Sequence, residues 1–378
     1  MIKAVITPDD GYQYFFGYYD IQPYDEGNGR HLALRCSFAD RNPDKGDTAT
    51  LGYIDLKSGN FVAVAETNAW NFQQGALLRW IDDSSIMFND FDGEKYISRV
   101  VNVNGEEITR YDRPFATVST VSGKAISVNF SRIYDFRPGY GYCNLRDPFY
   151  DDNAPDSDGI FVTNLKTGES ELILSYAEMK KLFCEAPFTD EKLVVNHINF
   201  DPSGEKCVFL LRNLSPTGKK WGTVLAIVDL KGNVKQLTRF EVNSHYSWKD
   251  SKTLMIYSGL PRWGIYFFDT DTGKRWTLDD PLCDDDDIHC NYSPDRRSFI
   301  GDGYPDKDDK RALYYYDFEK KRSKELFSVY SMPVSVTDIR CDLHARWSQD
   351  GSRISYDTTE NGKRQIVEII LEKGDLDV

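Results

Sequence analysis

The feature that most limits what this chain can fold into is a unit written seven times along its 378 residues. In one register the unit is an apolar run closed by a polar turn: GYIDLKSGN at 52, VVNVNGEE at 100, FVTNLKTGE at 161, AIVDLKGNV at 226, YFFDTDTGK at 266, YYYDFEKKR at 314 and VEIILEKGD at 367. Strand formers followed by Asp, Asn, Lys and Gly describe hairpins. In a second register four copies begin with histidine: HINFDPSGEKCVFLL at 197, HYSWKDSKTLMIYSG at 245, HCNYSPDRRSFIGDG at 289 and HARWSQDGSRISYDT at 344. Weaker copies start at Asp20, Leu77 and Ala116. A period of roughly 40 to 50 residues marks a propeller or a solenoid. Each unit supplies about four short strands, which is one blade, and radial repetition leaves few sheet edges exposed. The expected fold is therefore all-β, a seven-bladed β-propeller formed by residues 1–378 as a single domain. Its longest interruption, around 132–190, reads as a loop and a short helix, because RPGYGYCNLRDPFYDDNAPDSDG is rich in turn formers. Ser175 and Glu178 form a capping box ahead of AEMKKLF.

The chain has five histidines. His197, His245, His289 and His344 occupy the same repeat position in units four to seven, at the start of a blade strand. Equivalent positions on neighbouring blades are expected to converge around one end of the axis. Neutral imidazoles gathered there can bind a divalent cation, with one left as acid or base. The bland alternative is that each histidine braces its own blade. Imidazole suits Mn, Zn, Fe or Ni. Cys290 adjoins His289, and Cys341 and Asp342 precede His344, so a mixed His/Cys site would favour zinc. The acidic run Asp284 to Asp287 reads as a solvated loop more readily than as ligands.

Three further segments carry candidate site residues. ETNAWNFQQG combines Trp70, Asn71, Gln73 and Gln74, the aromatic and amide groups a sugar ring needs, although Trp70 also suits a core. NFSRIYDFRPGYGY supplies Arg132, Arg137, Tyr140 and Tyr142. Arginine binds carboxylates bidentately, tyrosine can transfer a proton, and either arginine can instead hold a structural ion pair. Arg212, in FLLRNLSP, is a third basic candidate, with Lys220 beyond it.

Composition excludes more than it selects. A net charge of −14 argues against nonspecific nucleic-acid binding, which rests on Lys and Arg neutralising phosphates. No apolar run is long enough for a membrane span, and MIKAVITPDDGYQYFF lacks a signal-peptide core. Seven scattered cysteines without a C-x-x-C pair fit reduced thiols, so a cytoplasmic location is expected. There is no G-x-S-x-G elbow, P-loop, H-E-x-x-H or dinucleotide fingerprint.

In order along the chain, FFGYYD, AWNFQQG, NFSR, RPGYGY, SHYSW, DIHCNYSPD and DLHARWSQDGSRISYD make it similar to the β-propeller polysaccharide lyases, the oligogalacturonate lyases and ulvan lyases. The resemblance implies metal-assisted β-elimination on short uronate-containing oligosaccharides. A base takes the C5 proton α to the carboxylate, and the 4-linked sugar leaves. Carried over by position, it implies His245 as general base, His289 and His344 as metal ligands, and His197 lining the same pocket. Manganese or zinc is the expected ion and an acidic oligosaccharide the expected partner. Where the oligogalacturonate pattern has further His and Gln ligands this chain has IRCDLHARW, which leaves Cys290 as a substitute ligand of the ulvan-lyase kind. Two other readings remain open: a noncatalytic glycan- or protein-binding propeller, and a metal-dependent sugar-acid hydrolase or epimerase.

Overall fold

Short runs of β-branched and aromatic residues, each bounded by Asx or Gly turns, pair with their nearest neighbours in sequence because a tight hairpin is the shortest way to satisfy their backbone groups. The computed structural model describes every residue except 184–190, 215–221, 260, 279 and 281–286. It is a seven-bladed β-propeller, each blade a four-stranded antiparallel sheet. Blades one to six take their strands consecutively. Blade one is Gln13–Phe15, Arg30–Cys36, Ala49–Asp55 and Asn60–Thr67. Blade five is Asn243–Trp248, Thr253–Ser258, Gly264–Asp269 and Arg275–Thr277. Blade seven differs. Its inner strands, Arg346–Trp347, Arg353–Thr358 and Gln365–Ile370, are completed by Ile2–Val5 from the opposite end of the chain, with Ile2 opposite Ile370 and Val5 opposite Val367.

The blades group into two compact units. Met1–Phe91, Arg99–Arg110 and Asp279–Val378 hold blades one, six and seven and most of blade two, whereas Asp92–Ser98 and Tyr111–Leu278 hold blades three to five. Inside the second unit, Val208, Leu210, Leu225 and Ile227 of blade four pack against Tyr246, Trp248, Leu254 and Ile256 of blade five. In the first, Ile300, Leu313 and Tyr315 of blade six pack against Trp347, Ile354, Tyr356 and Val367 of blade seven. Each such fully buried aliphatic side chain contributes about 1.5–3 kcal/mol. Among the described residues no helix is long and apolar enough to cross a membrane, and no disulfide is found.

The expected interruption at 132–190 proves to be two. Blade three's third and fourth strands, Gly159–Asn164 and Ser170–Ser175, lie within that range. Before them, and directly ahead of the RPGYGY segment, stands a helix, Phe130–Phe136, whose Asn129 cap accepts from Arg132 N at 3.0 Å. After them, the capping box forms as expected: Glu178 accepts from Ser175 N at 2.8 Å, and Ser175 Oγ from Glu178 N at 3.2 Å, opening the helix Tyr176–Phe183.

Candidate metal centre

The first unit brings three ligand-type side chains together. His289 opens the innermost strand of blade six, His289–Tyr292, and its register partner on the next strand is Asp302. Cross-strand partners share a sheet face, so the Asp302 carboxylate lies beside the ring, with Nδ1 3.2 Å from Oδ2. The same carboxylate accepts from Leu343 N at 3.1 Å and Ala345 N at 3.3 Å, fixing the backbone on both sides of His344. His344 donates from Nδ1 to Gly17 O at 2.9 Å. The two rings stand nearly perpendicular, 4.5 Å apart. One ligand atom from each of His289, Asp342 and His344 lies within 4.8 Å of the others, and all three residues are buried.

Because carboxylate and carbonyl oxygens only accept, both imidazoles carry a proton on Nδ1, so Nε2 is the nitrogen through which each neutral ring could ligate. Among the described residues His344 Nε2 is buried with no hydrogen-bond partner, an arrangement that normally requires an explanation. Asp342 Oδ2 lies 3.8 Å from it. Asp342 sits between two guanidiniums, Arg311 at 2.8 Å from Oδ1 and Arg340 at 2.8 Å from Oδ2. Burial would raise its pKa, but Arg340, Arg311 and then the two histidines hold it far below the usual carboxylate range. Burial, with the neighbouring His289, pushes the His344 pKa well down against the pull of Asp342, so the ring stays neutral. Burial pulls His289 the same way, yet the charge and hydrogen bond of Asp302, helped by Asp342 and Asp287, raise it overall. Two imidazoles and a carboxylate with ligand atoms within 4.8 Å of one another form a donor set suited to a divalent first-row cation. Tyr18 and Tyr19 wall the cluster, at 4.9 Å from His344 and 5.4 Å from His289 between ring centres.

Cys290 does not join this group. Successive strand residues face opposite sides, and Cys290 Sγ packs against Gly301, its register partner. The third ligand-type group is instead Asp342, which the sequence marks as a neighbour of His344 without assigning it as a ligand. Its signal was present, two residues ahead of His344, but hidden among 60 acidic residues. The Cys341 thiol, buried one residue before Asp342, is pushed up to about 12 by burial and stays protonated.

In the second unit, His197 and His245 both sit at β-bulges of their innermost strands. Pairing steps from Asn196 to Ile198 across one residue of the partner strand, and from Asn243 to Tyr246 across two. A bulge re-aims a side chain. His197 (φ 59°) shares its left-handed backbone with Leu77 (φ 54°) and His344 (φ 43°), the same repeat position in three blades. Each costs about 1–2 kcal/mol for a residue with a Cβ, so the strain recurs with the repeat. His197 meets Tyr140 edge-on at 5.2 Å. His245 is buried in blade five, and Arg212 is buried on blade four's second strand, opposite Val194.

Several candidates turn out to hold the structure. All five Arg132 donor positions are occupied: Nε by Leu193 O, Nη1 by Asp147 and Phe149 O, Nη2 by Asp152 O and Asn153 O. Arg132 is therefore the clamp of the 147–153 loop rather than a catalytic group. Tyr142 stacks on Phe130 at 4.5 Å and is buried, a core residue and not a substrate contact. Arg137 lies 4.4 Å over the Tyr140 ring, and Tyr140 is buried. Trp70 donates to Asp47 O at 3.0 Å and packs with Phe15, Phe38 and Phe72. Asn71 Oδ1 accepts from Gln73 N and Gln74 N, so its amide builds the turn. Gln74 keeps its backbone against Gly17, whose φ of 129° and lack of Cβ permit the approach. Gln73 is the informative one: its Nε2 donates to Asp338 O and Arg340 O, securing the segment that leads to Asp342. Lys220, Cys184, Cys283 and Asp284 to Asp286 lie outside the described residues.

Solved structures of similar shape give the architecture its relatives. An oligogalacturonate lyase in complex with manganese superposes with a TM-score of 0.71 at 16% identity, over 99% of this chain and 94% of that one. The chain has the fold of the oligogalacturonate lyases. A second such lyase, from Vibrio parahaemolyticus, gives a TM-score of 0.68 at 13% identity, over 98% of this chain and 94% of that one. The lyase fold is shared more loosely with a puromycin hydrolase, at a TM-score of 0.53 and 12% identity, where the match spans 97% of this chain and 53% of that chain. At these identities the likeness carries the fold. No family model matches the chain, and no curated protein matches it either.

Proposed function

We propose that the chain is a lyase that cleaves short uronate-containing oligosaccharides by metal-assisted β-elimination. The observation that carries this reading is the buried group His289, Asp342 and His344, whose ligand atoms lie within 4.8 Å of one another, set in a propeller whose fold oligogalacturonate lyases share. The C5 proton of a uronate is barely acidic while its carboxylate is charged, so elimination needs that charge neutralised. A bound divalent cation, manganese or zinc by donor type, would supply the neutralisation. His289, Asp342 and His344 would hold the ion, and Asp302 and Gly17 O fix the Nδ1 proton of both rings. Arg311 and Arg340 fix the Asp342 carboxylate from behind. His245 takes the C5 proton, an assignment resting on its repeat position and on the lyase resemblance.

The test is direct. Metal-stripped protein, with and without added Mn²⁺ or Zn²⁺, is incubated with a panel of 4-linked uronate oligosaccharides while the ultraviolet absorbance of the conjugated carboxylate is followed. Metal-dependent growth of that absorbance is expected. A panel that yields no unsaturated product with any ion overturns the proposal.

A further inference from the structure

Blade five carries an exposed aromatic face that the sequence reading did not single out. Trp263 is 50% exposed, in the turn between the strands Thr253–Ser258 and Gly264–Asp269. Its indole lies nearly parallel to the Tyr257 ring, 5.6 Å away with an interplanar angle of 22°. Arg262 is tied to the next strand: Tyr266 Oη accepts from Arg262 N at 3.4 Å and donates to Arg262 O at 2.8 Å. Gly259 N donates to Val242 O at 3.0 Å, and a Cβ on Gly259 would stand 3.4 Å from two indole carbons. The indole is thus packed against Tyr257 and Gly259 while half of the residue stays exposed.

Its place within the blade matters as much as its exposure. Asn243, at the start of the innermost strand, pairs with Ser258, and Ser258 in turn pairs with Gly264. The Trp263 turn and the first residues of the His245 strand therefore lie at the same end of blade five. Trp276, also exposed, is different: it is the cross-strand partner of Phe267 in the sheet, stacked on it at 5.6 Å, and is explained by sheet packing. No cross-strand register accounts for Trp263. Arg262, exposed on the same turn, places a guanidinium-bearing residue beside the aromatic one. An exposed flat apolar group on a turn that also carries an arginine matches a sugar ring that is apolar on its axial C–H side and carries a carboxylate.

We infer that Trp263 is the stacking platform for one pyranose ring of the acidic oligosaccharide, next to the ring that is cleaved. The inference rests on the lyase reading above and adds a binding position to it. One stacked face contributes about tenfold in affinity. It acts on substrate and transition state alike, so it is read in KM rather than kcat.

Steady-state kinetics on uronate tri- and tetrasaccharides, with the metal supplied, test it in wild type, Trp263→Ala and Trp263→Phe. The Ala variant should raise KM about tenfold with kcat within about twofold, and the Phe variant should recover most of the loss. An active wild type whose KM is unchanged by Trp263→Ala overturns the platform and leaves the lyase reading standing. A wild type that neither eliminates the panel nor shows quenching of its tryptophan fluorescence by it removes both.

Discussion

Asp302 is the residue on which the proposed metal centre can be made to fail in a graded way. Its carboxylate receives three buried donors: His289 Nδ1, Leu343 N and Ala345 N. Replacing it by alanine orphans all three. At about 1–3 kcal/mol per buried unsatisfied donor, the loss is roughly 3–9 kcal/mol, toward the lower figure if water enters the gap. That approaches the whole stability of a typical protein, about 5–15 kcal/mol, so Asp302→Asn is the informative partner. Its amide can turn its oxygen toward His289 and Leu343 N, because the opposite orientation sets an NH₂ against two donors instead of one. The asparagine then keeps the His289 tautomer and loses one backbone bond and the negative charge, at about 1–2 kcal/mol. Metal affinity should follow the same order. Loss of an outer partner of a ligating histidine costs about 10- to 100-fold, with alanine at the upper end and asparagine at the lower. Calorimetric titration of stripped protein with Mn²⁺ and Zn²⁺, beside thermal unfolding of the metal-free forms, separates affinity from stability. If both variants fold and bind either ion as tightly as wild type, Asp302 does not orient a ligand and the centre is misassigned.

Three further outcomes follow from the same geometry. His344→Ala, which removes the buried Nε2 without a hydrogen-bond partner, should leave the purified protein without stoichiometric metal by elemental analysis; retained metal would show that the ligands lie elsewhere. His245→Ala should abolish elimination while circular dichroism and metal content stay at wild-type values, and turnover surviving in that variant would remove the base assignment. His31, buried beside Arg346, has its pKa lowered from 6.5 to about 3, by burial first and by the arginine's charge second. Below pH 6.5 the unfolded chain therefore binds a proton that the folded chain refuses, and stability falls as pH drops from about 6.5 toward 3. Between pH 7 and 5 the loss is about 2 kcal/mol from this residue alone, so denaturant unfolding of His31→Gln should show a correspondingly shallower pH dependence; equal slopes would contradict it.

The seven blades were legible because each hairpin repeats its own local instructions, as AIVDLKGNV and YFFDTDTGK do: a period-two apolar run, then an Asx or Gly turn. The repeat position of the histidines was legible for the same reason, and it coincides with the bulges at His197 and His245 and with the left-handed backbone of His344. Asp342 and Asp302 were not, because their roles depend on what lies opposite them: a carboxylate becomes a ligand or a ring clamp only when Arg311, Arg340 or an imidazole is folded against it. Arg132 misled for a related reason. Four of its five bonds go to backbone carbonyls, three of them in the 147–153 loop, which no residue pattern specifies. The helix Phe130–Phe136 was missed because seven residues are too few to show a helical period.

Ile2–Val5 gives its hydrogen bonds to Gln365–Ile370, and this couples the order of synthesis to the candidate centre. While the chain is emerging, the first strand waits with its edge unpaired until more than 360 later residues have followed. The blade adjoining His344 cannot close before then. Deleting residues 1–5 would strip that seam and leave Gln365–Ile370 as a bare edge, ready to recruit a strand from a second molecule. An N-terminal truncation should therefore reveal itself as self-association before it reveals itself as lost chemistry.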